Sequence, residues 1–163
     1  MSDDLIKDAL RMMPYGFYAV SSRSEDDENA MVANWVMQTS FEPRLLTLGL
    51  QKTCYTHELI AKSGVFCINI FNKEDVEAIK PFMKGRSKNP DKMKEAVYNA
   101  APETGSPVLE GSAAYIECKV LQIIETGGDH DLVVGAVVGA GVSKPGEAVD
   151  SLSLPELGWS YAG

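Results

Sequence analysis

An antiparallel β-barrel with peripheral helices, a mainly β fold, is the class that this 163-residue sequence predicts. Three observations carry that reading. Two long strand-like runs, residues 113–124 and 131–142, flank Gly127-Gly128 with no helix-length amphipathic segment between them, so they are expected to pair antiparallel. Two further runs, 16–22 and 31–38, are joined by a short polar loop and read as a hairpin. The order helix, strands, helix, strand, helices, strands is not the regular alternation that builds a doubly wound parallel sheet. A chain of this length is expected to form one domain, residues 1–163, and to bury roughly two thirds of its unfolded surface without a disulfide or metal staple.

The elements follow in order. Residues 2–13 read as a helix. Ser2 suits the N-cap, Asp3 and Asp4 occupy the first turn, where the helix dipole favours negative charge, and Leu5, Ala9, Met12 and Met13 form an apolar stripe. Pro14 and Gly16 end it. The run GFYAVSS (16–22) is a strand, the acidic stretch 25–29 a turn, and MVANWVMQ (31–38) one continuous second strand. Pro43 interrupts the chain, and LLTLGLQ (45–51) is a third strand. Thr53 reads as the N-cap of a helix running through Ser63, with Gly64 as its C′ residue. VFCINIF (65–71) is a buried strand. Asn72 caps a short helix that Pro81 ends or bends, and Asn89-Pro90 opens another. Within the last apolar strand, Gly135, Gly139 and Gly141 mark close backbone packing or bulges.

Composition narrows the function classes. Hydrophobic residues make up 45% and charged residues 23%, the balance of a folded domain and not of a disordered chain. The net charge of −8 repels phosphate backbones and anionic membrane surfaces, so no nucleic acid or membrane partner is expected. The charge is uneven, because Lys80, Lys84, Arg86, Lys88, Lys92 and Lys94 form a local cationic stretch. Cys54, Cys67 and Cys118 are odd in number and contain no CxxC pair, which suits reduced thiols in a cytoplasmic protein. The start Ser2-Asp3-Asp4 lacks a basic region followed by an apolar run, so no signal peptide is expected. No apolar stretch has the length of a bilayer span.

Three segments are candidates for chemistry. In Gln51-Lys52-Thr53-Cys54-Tyr55-Thr56 a strand feeds a helix N-terminus whose unpaired amides, positive dipole end, lysine and two threonines would form a phosphate cradle. An ordinary capped helix with a surface lysine is the alternative. Residues 31–43 (MVANWVMQTSFEP) form a strand running into Gln38, Thr39 and Ser40, whose end can offer main-chain groups to a flat heterocycle; a plain strand and turn is the alternative. In Gly127-Gly128-Asp129-His130 the glycines let a histidine approach a ligand closely, and a polar hairpin turn is the alternative. The two histidines, His57 and His130, show no metal-ligand spacing, so no metal is expected. Cys54 near the helix start is a candidate for a lowered pKa, but no His-Asp partner for a nucleophile is evident. No GxGxxG or GxxxxGK[ST] device is present for a nucleotide.

At these residues, from about Pro14 to about Gly141, the chain resembles the flavin reductase family, which uses an FMN-binding split β-barrel of antiparallel Greek-key type. Residues 31–43 resemble its Thr/Val-Ala-x-Trp-x-x-Gln-x-Ser-Phe-x-Pro block. KTCYTHELI (52–60) resembles its Lys-x-x-Tyr/Ser-Thr-His/Asn-x-x-Ile block. Gly128-Asp129-His130, with Leu132–Val137, resembles its Gly-Asp/Thr-His-x-x-x-x-Gly-x-Val block. The resemblance implies that Ala33, Asn34, Trp35, Gln38, Thr39 and Ser40 edge the isoalloxazine ring and ribityl chain. It implies that Lys52, Thr53, Tyr55 and Thr56 surround the flavin phosphate and that His130 lies near the redox face as the catalytic candidate. Lys84-Gly85-Arg86-Ser87 and Asp91-Lys92-Met93 resemble a stretch of the flavoredoxin-like branch. Arg86 and Lys92 would then meet flavin or nicotinamide phosphates, with a solvated helix face as the alternative. The chain departs from the pattern at Arg44, where a second proline is common, and at Asn34, where many relatives carry Ser or Thr. It stops at Gly163, where some relatives carry a longer tail, which leaves substrate gating open.

The resemblance further implies an enzyme that passes a hydride from NAD(P)H to bound FMN, or to FAD. It implies a homodimer in which both subunits contribute to each flavin pocket, with oxygen, iron, free flavin or a redox partner protein as acceptor. The alternatives are a flavoredoxin-like FMN electron carrier without its own NAD(P)H reaction, and a barrel that binds a partner and no flavin.

Overall fold

The computed structural model describes residues 2–160; Met1 and positions 161–163 lie outside the described residues. Seven strands form one sheet in which every pairing is antiparallel. In chain order they are β1 (Tyr18–Arg23), β2 (Glu28–Ala33), β3 (Val36–Ser40), β4 (Leu45–Gln51), β5 (Val65–Ile70), β8 (Ala114–Glu125) and β9 (His130–Val142). Their order across the sheet is β2-β1-β5-β8-β9-β4-β3. The helices α1 (Asp3–Arg11), α2 (Tyr55–Ser63), α3 (Val76–Ile79) and α4 (Lys92–Glu95) lie outside the sheet, and β6 (Tyr98–Ala100) pairs with β7 (Pro107–Leu109) as a separate ribbon. The expected class, antiparallel barrel with peripheral helices, is the one observed. Among the described residues no helix is long and apolar enough to cross a membrane.

One expectation is corrected here. Residues 31–38 are not one strand. The run splits at Asn34-Trp35 into β2 and β3, which occupy the two opposite edges of the sheet. This two-residue turn therefore brings the sheet's first and last strands together. Asn34 Nδ2 donates to Gly16 O at 2.9 Å, and Gly49 N donates to Trp35 O at 2.8 Å. A side chain at Gly49 would come within 3.1 Å of the Trp35 ring, so the bare backbone of β4 is what lets the indole fold over it. Apolar triplets stand on both sides of Asn34 (MVA and WVM), so the run reads as one strand and the break is hidden from a pattern reading.

Two cores share β1. Val20, Leu46, Leu48, Leu50, Ile60, Phe66, Ile68 and Val133 fill the barrel. Phe17, Ala19, Phe71, Ile79, Phe82, Leu109 and Leu154 form a second cluster between the sheet and the short helices. Alternate residues of β1 thus serve both, as a strand buried on two faces requires. The β6–β7 ribbon, which the sequence did not suggest, is held by buried polar groups: Asn69 Oδ1 accepts from Leu109 N at 2.8 Å and Ser21 Oγ donates to Pro107 O at 2.5 Å. The strand glycines behave as expected. A Cβ on Gly135 would stand 2.6 Å from Phe66, and one on Gly139 would stand 2.8 Å from the buried Glu117 carboxylate.

The cap of α2 is a second correction. Cys54 and not Thr53 is the N-cap, with extended backbone, and its Sγ accepts from His57 N at 3.4 Å. Thr53 sits one residue earlier, in the turn from β4. Gly64 ends the helix in the left-handed conformation, φ 71°, as expected.

Candidate functional site

The end of β2, the end of β4 and the loop before β9 enclose a cleft of about 350 Å³, bordered by Asn34, Trp35, Asp129 and His130. A second cleft of about 410 Å³ opens at the start of α2 and reaches Arg86 and Lys92. Both are lined by Met31, Val32 and Gln51, so they form one continuous groove with two chemically distinct halves.

The first half is flat and aromatic. The His130 ring lies 4.6 Å from the Trp35 ring, centroid to centroid, at an interplanar angle of 58°. His130 Nδ1 meets Asp129 Oδ1 at 2.7 Å, and this contact holds the Asp129 carboxyl below the usual range. Ala33 and Asn34 contribute from the strand break, close to the indole.

The second half is cationic. Lys92 is 1% exposed, yet among the described residues no carboxylate pairs with it. Its Nζ donates to Lys84 O at 3.0 Å. Burial, and then the neighbouring Arg86 charge, push its pKa down to about 8. A buried ammonium without a counter-charge is costly in the absence of an anion. Arg86 lies over the Tyr55 ring at 4.2 Å and pairs with Asp27 at 2.6 Å, while the Tyr55 hydroxyl donates to the same carboxylate oxygen at 2.6 Å. Burial raises the Asp27 pKa, but Tyr55 and Arg86 outweigh it and leave the carboxyl below its ordinary range. Thr56 Oγ1 is buried and accepts from Asn29 Nδ2 at 2.9 Å. Next to these side chains the first turn of α2 leaves main-chain N–H groups without helical partners.

Thus the structure gathers Ala33, Asn34, Trp35 and His130 in one half and Thr53, Tyr55, Thr56, Arg86 and Lys92 in the other. Four expected residues lie outside both halves. Lys52 Nζ stands 3.5 Å from Asp131 Oδ1, on the far side of the loop. Gln38 donates to Ser40 O, and Thr39 shares a hydrogen bond with Thr47, along the exposed β3 edge. Asn29 lines the second half and Asp27 holds Arg86 there; both lie in the acidic stretch 25–29, and neither was among the expected residues. A charge run reads as solvated surface, and only the fold brings it to α2.

Cys54 is the one cysteine on the groove wall. Burial raises its thiol pKa, so the helix start does not activate it as its position suggested. Burial also raises Cys118, to about 12, and Cys67 further still. In a thiol titration with a disulfide reagent at pH 8, native protein is expected to show slow labelling at Cys54 and none at Cys67 or Cys118. Saturating FMN should slow Cys54 further; rapid labelling of all three would refute this burial pattern.

Comparison with known proteins bears on this groove. A family model described as "Flavin reductase like domain" matches residues 10–153. A protein from Pseudomonas putida named flavin reductase is 30% identical over 129 residues, covering 78% of this chain and 73% of that one. A Nostoc sp. relative named diflavin flavoprotein A 3 is 29% identical over 154 residues, 94% of this chain but 26% of the relative. The chain therefore spans about a quarter of the length of that relative. The structure of an FMN-binding protein from Thermus thermophilus, with bound 1-cyclohex-2-enone, superposes with a TM-score of 0.74 at 27% identity, covering 82% of this chain and 73% of that one.

Proposed function

The chain belongs to the flavin reductase-like family, and from that premise we propose that it binds FMN in the two-part groove and acts as an NAD(P)H:flavin oxidoreductase. The observation that carries this reading is Lys92: a buried, unpaired ammonium beside Arg86, facing the amino end of α2 at one end of a groove whose other end is aromatic. That donor set fits a phosphate monoester and a flat heterocycle in tandem.

A bound flavin supplies the hydride-accepting and electron-releasing chemistry. The protein's residues bind and orient. Lys92, Arg86, the Thr56 hydroxyl and the first-turn amides of α2 would hold the phosphate end. Arg86 is kept in place by Tyr55 and Asp27, so little side-chain entropy remains to be lost on binding. Trp35 and His130 would border the ring end. No single acid or base is required. Replacing His130 with Asn is expected to slow hydride uptake by about tenfold, well short of the ~10²–10⁴ that loss of an acid–base step costs. Complete loss with FMN still bound would contradict that role.

We further infer a homodimer. Met37 and Phe41, on and beside the β3 edge, are large apolar side chains in water, as are Leu121 and Ile124 on β8 and Leu132 on β9, the strands beyond β4. Gln38, Thr39 and Ser40 share that edge, and in a two-fold pair they would complete the partner's ring site. The free cysteines suit the reducing cytoplasm. FMN is favoured over FAD because the Asp27–Tyr55–Arg86 cluster stands at the phosphate end.

Purified protein is expected to bind FMN with a yellow spectrum and to bleach rapidly on anaerobic mixing with NADH or NADPH. Yellow protein that resists both nicotinamides but is reduced by a redox partner would favour the electron carrier. Failure to bind FMN would overturn the proposal.

A further inference from the structure

Resting on the flavin-phosphate reading above, we propose that His57 is a positioning residue that acts through Asp131: their buried bridge holds the first turn of α2 against the start of β9, keeping the phosphate half of the groove in register with the half that carries His130. Neither side chain lines either cleft, so both must act indirectly.

The geometry is specific. His57 Nε2 lies 2.9 Å from Asp131 Oδ2, and the two side chains are 16% and 7% exposed. Asp131 sits on β9 opposite Leu50 of β4. Side chains alternate along a strand, so His130, the next residue, points to the groove while Asp131 points away from it towards α2. His57 occupies the same helical turn as Tyr55 and Thr56, which face the phosphate half. Two more contacts tie these segments together: Lys52 N donates to Asp129 O at 3.0 Å, and Lys52 Nζ stands 3.5 Å from Asp131 Oδ1. That second oxygen is buried and accepts no hydrogen bond. Hence His57 supplies the only side-chain hydrogen bond to this carboxylate among the described residues.

Lys52 thereby acquires a different task from the one its position suggested. Its charge offsets a buried carboxylate, and the positive charge at the phosphate half comes from Arg86, Lys92 and the helix start. Losing His57 leaves Asp131 with a single long ion pair, and the α2 turn free to move relative to β9. The phosphate contacts need the α2 amides and the ring contacts need the β9 start, so a shift between them falls on a ligand that spans both. Riboflavin, which lacks the phosphate, does not sense it.

The test compares FMN with riboflavin by fluorescence quenching on full-length protein. His57→Leu should weaken FMN binding about tenfold, the scale of one lost hydrogen bond, and riboflavin binding by less than about twofold. His57→Gln, whose side-chain amide can still donate to Asp131, should recover most of the FMN affinity. Equal losses for both ligands, no loss, or no recovery in His57→Gln would overturn the proposal. If His57→Leu does not fold, His57→Leu/Asp131→Leu removes the bridge and the buried charge together, and the same ratio decides. Wild-type protein that binds riboflavin as tightly as FMN would instead overturn the phosphate reading itself.

Discussion

Lys92→Met is expected to raise the melting temperature of the flavin-free protein and to remove its preference for FMN over riboflavin. Both effects have one origin. Burial and the Arg86 charge bring the folded-state pKa of Lys92 from 10.5 to about 8. The unfolded chain therefore binds the extra proton between about pH 8 and 10.5, and stability contributed by this group rises with pH through that window. Below about pH 8 the full cost of roughly 3 kcal/mol is present. Methionine matches the length of the stem without the charge and removes that cost, less about 1 kcal/mol for the hydrogen bond that Lys84 O loses, which in a domain of this size leaves a gain of roughly 4–8 °C. The same change deletes a charge-assisted hydrogen bond to the phosphate, worth about a hundredfold in FMN affinity. Calorimetry with and without FMN checks both. A lower melting temperature for the flavin-free variant, or an unchanged ratio of FMN to riboflavin affinity, would remove Lys92 from the site. Instability tolerated in the empty protein and relieved by ligand is the pattern of a residue retained for binding.

The second large effect is in the barrel. Gly135→Val is expected to destabilise the protein by roughly 3 kcal/mol, the upper range for overpacking a filled core. A Cβ at this position stands 2.6 Å from the Phe66 ring and 2.9 Å from Cys118 Cβ, and both neighbours are fully buried. The ring has nowhere to turn, because Phe66 already packs in the barrel core with Leu48 and Val133. Phe66→Leu alone also destabilises, by leaving space. The two changes together should cost less than their sum, since the valine fills volume that the ring vacates. Urea unfolding of the four proteins measures the coupling. Strict additivity would show that Gly135 and Phe66 do not share that space.

Much of the groove was legible before the fold. Trp35, Thr53, Tyr55, Thr56 and His130 stand in short blocks whose residue types suit an aromatic ring and a phosphate, and the structure puts all five on the groove wall. Lys52 shows the limit of that reading. A lysine beside a helix start reads as a phosphate ligand, yet Asp131, 79 positions further on, draws its charge to the other side of the loop. Gln38, Thr39 and Ser40 show the same limit, since a strand end can face a ligand, solvent or a second subunit with one and the same pattern.

The sequence by itself determined most local elements: the strands β1, β4, β5, β8 and β9, the glycine-terminated helix, the antiparallel class and the sites of close packing at Gly135, Gly139 and Gly141. These follow from alternation, capping and the absence of a side chain, which act over a few residues. Only the tertiary structure decided that β2 and β3 part at Asn34-Trp35 to reach opposite edges of the sheet, that Asp27 reaches Arg86, and that His57 reaches Asp131. Hydrogen bonds and ion pairs between segments dozens of residues apart leave no periodicity in the chain. At His57–Asp131 burial also removes water as a competing partner, and burial is a property of the whole fold.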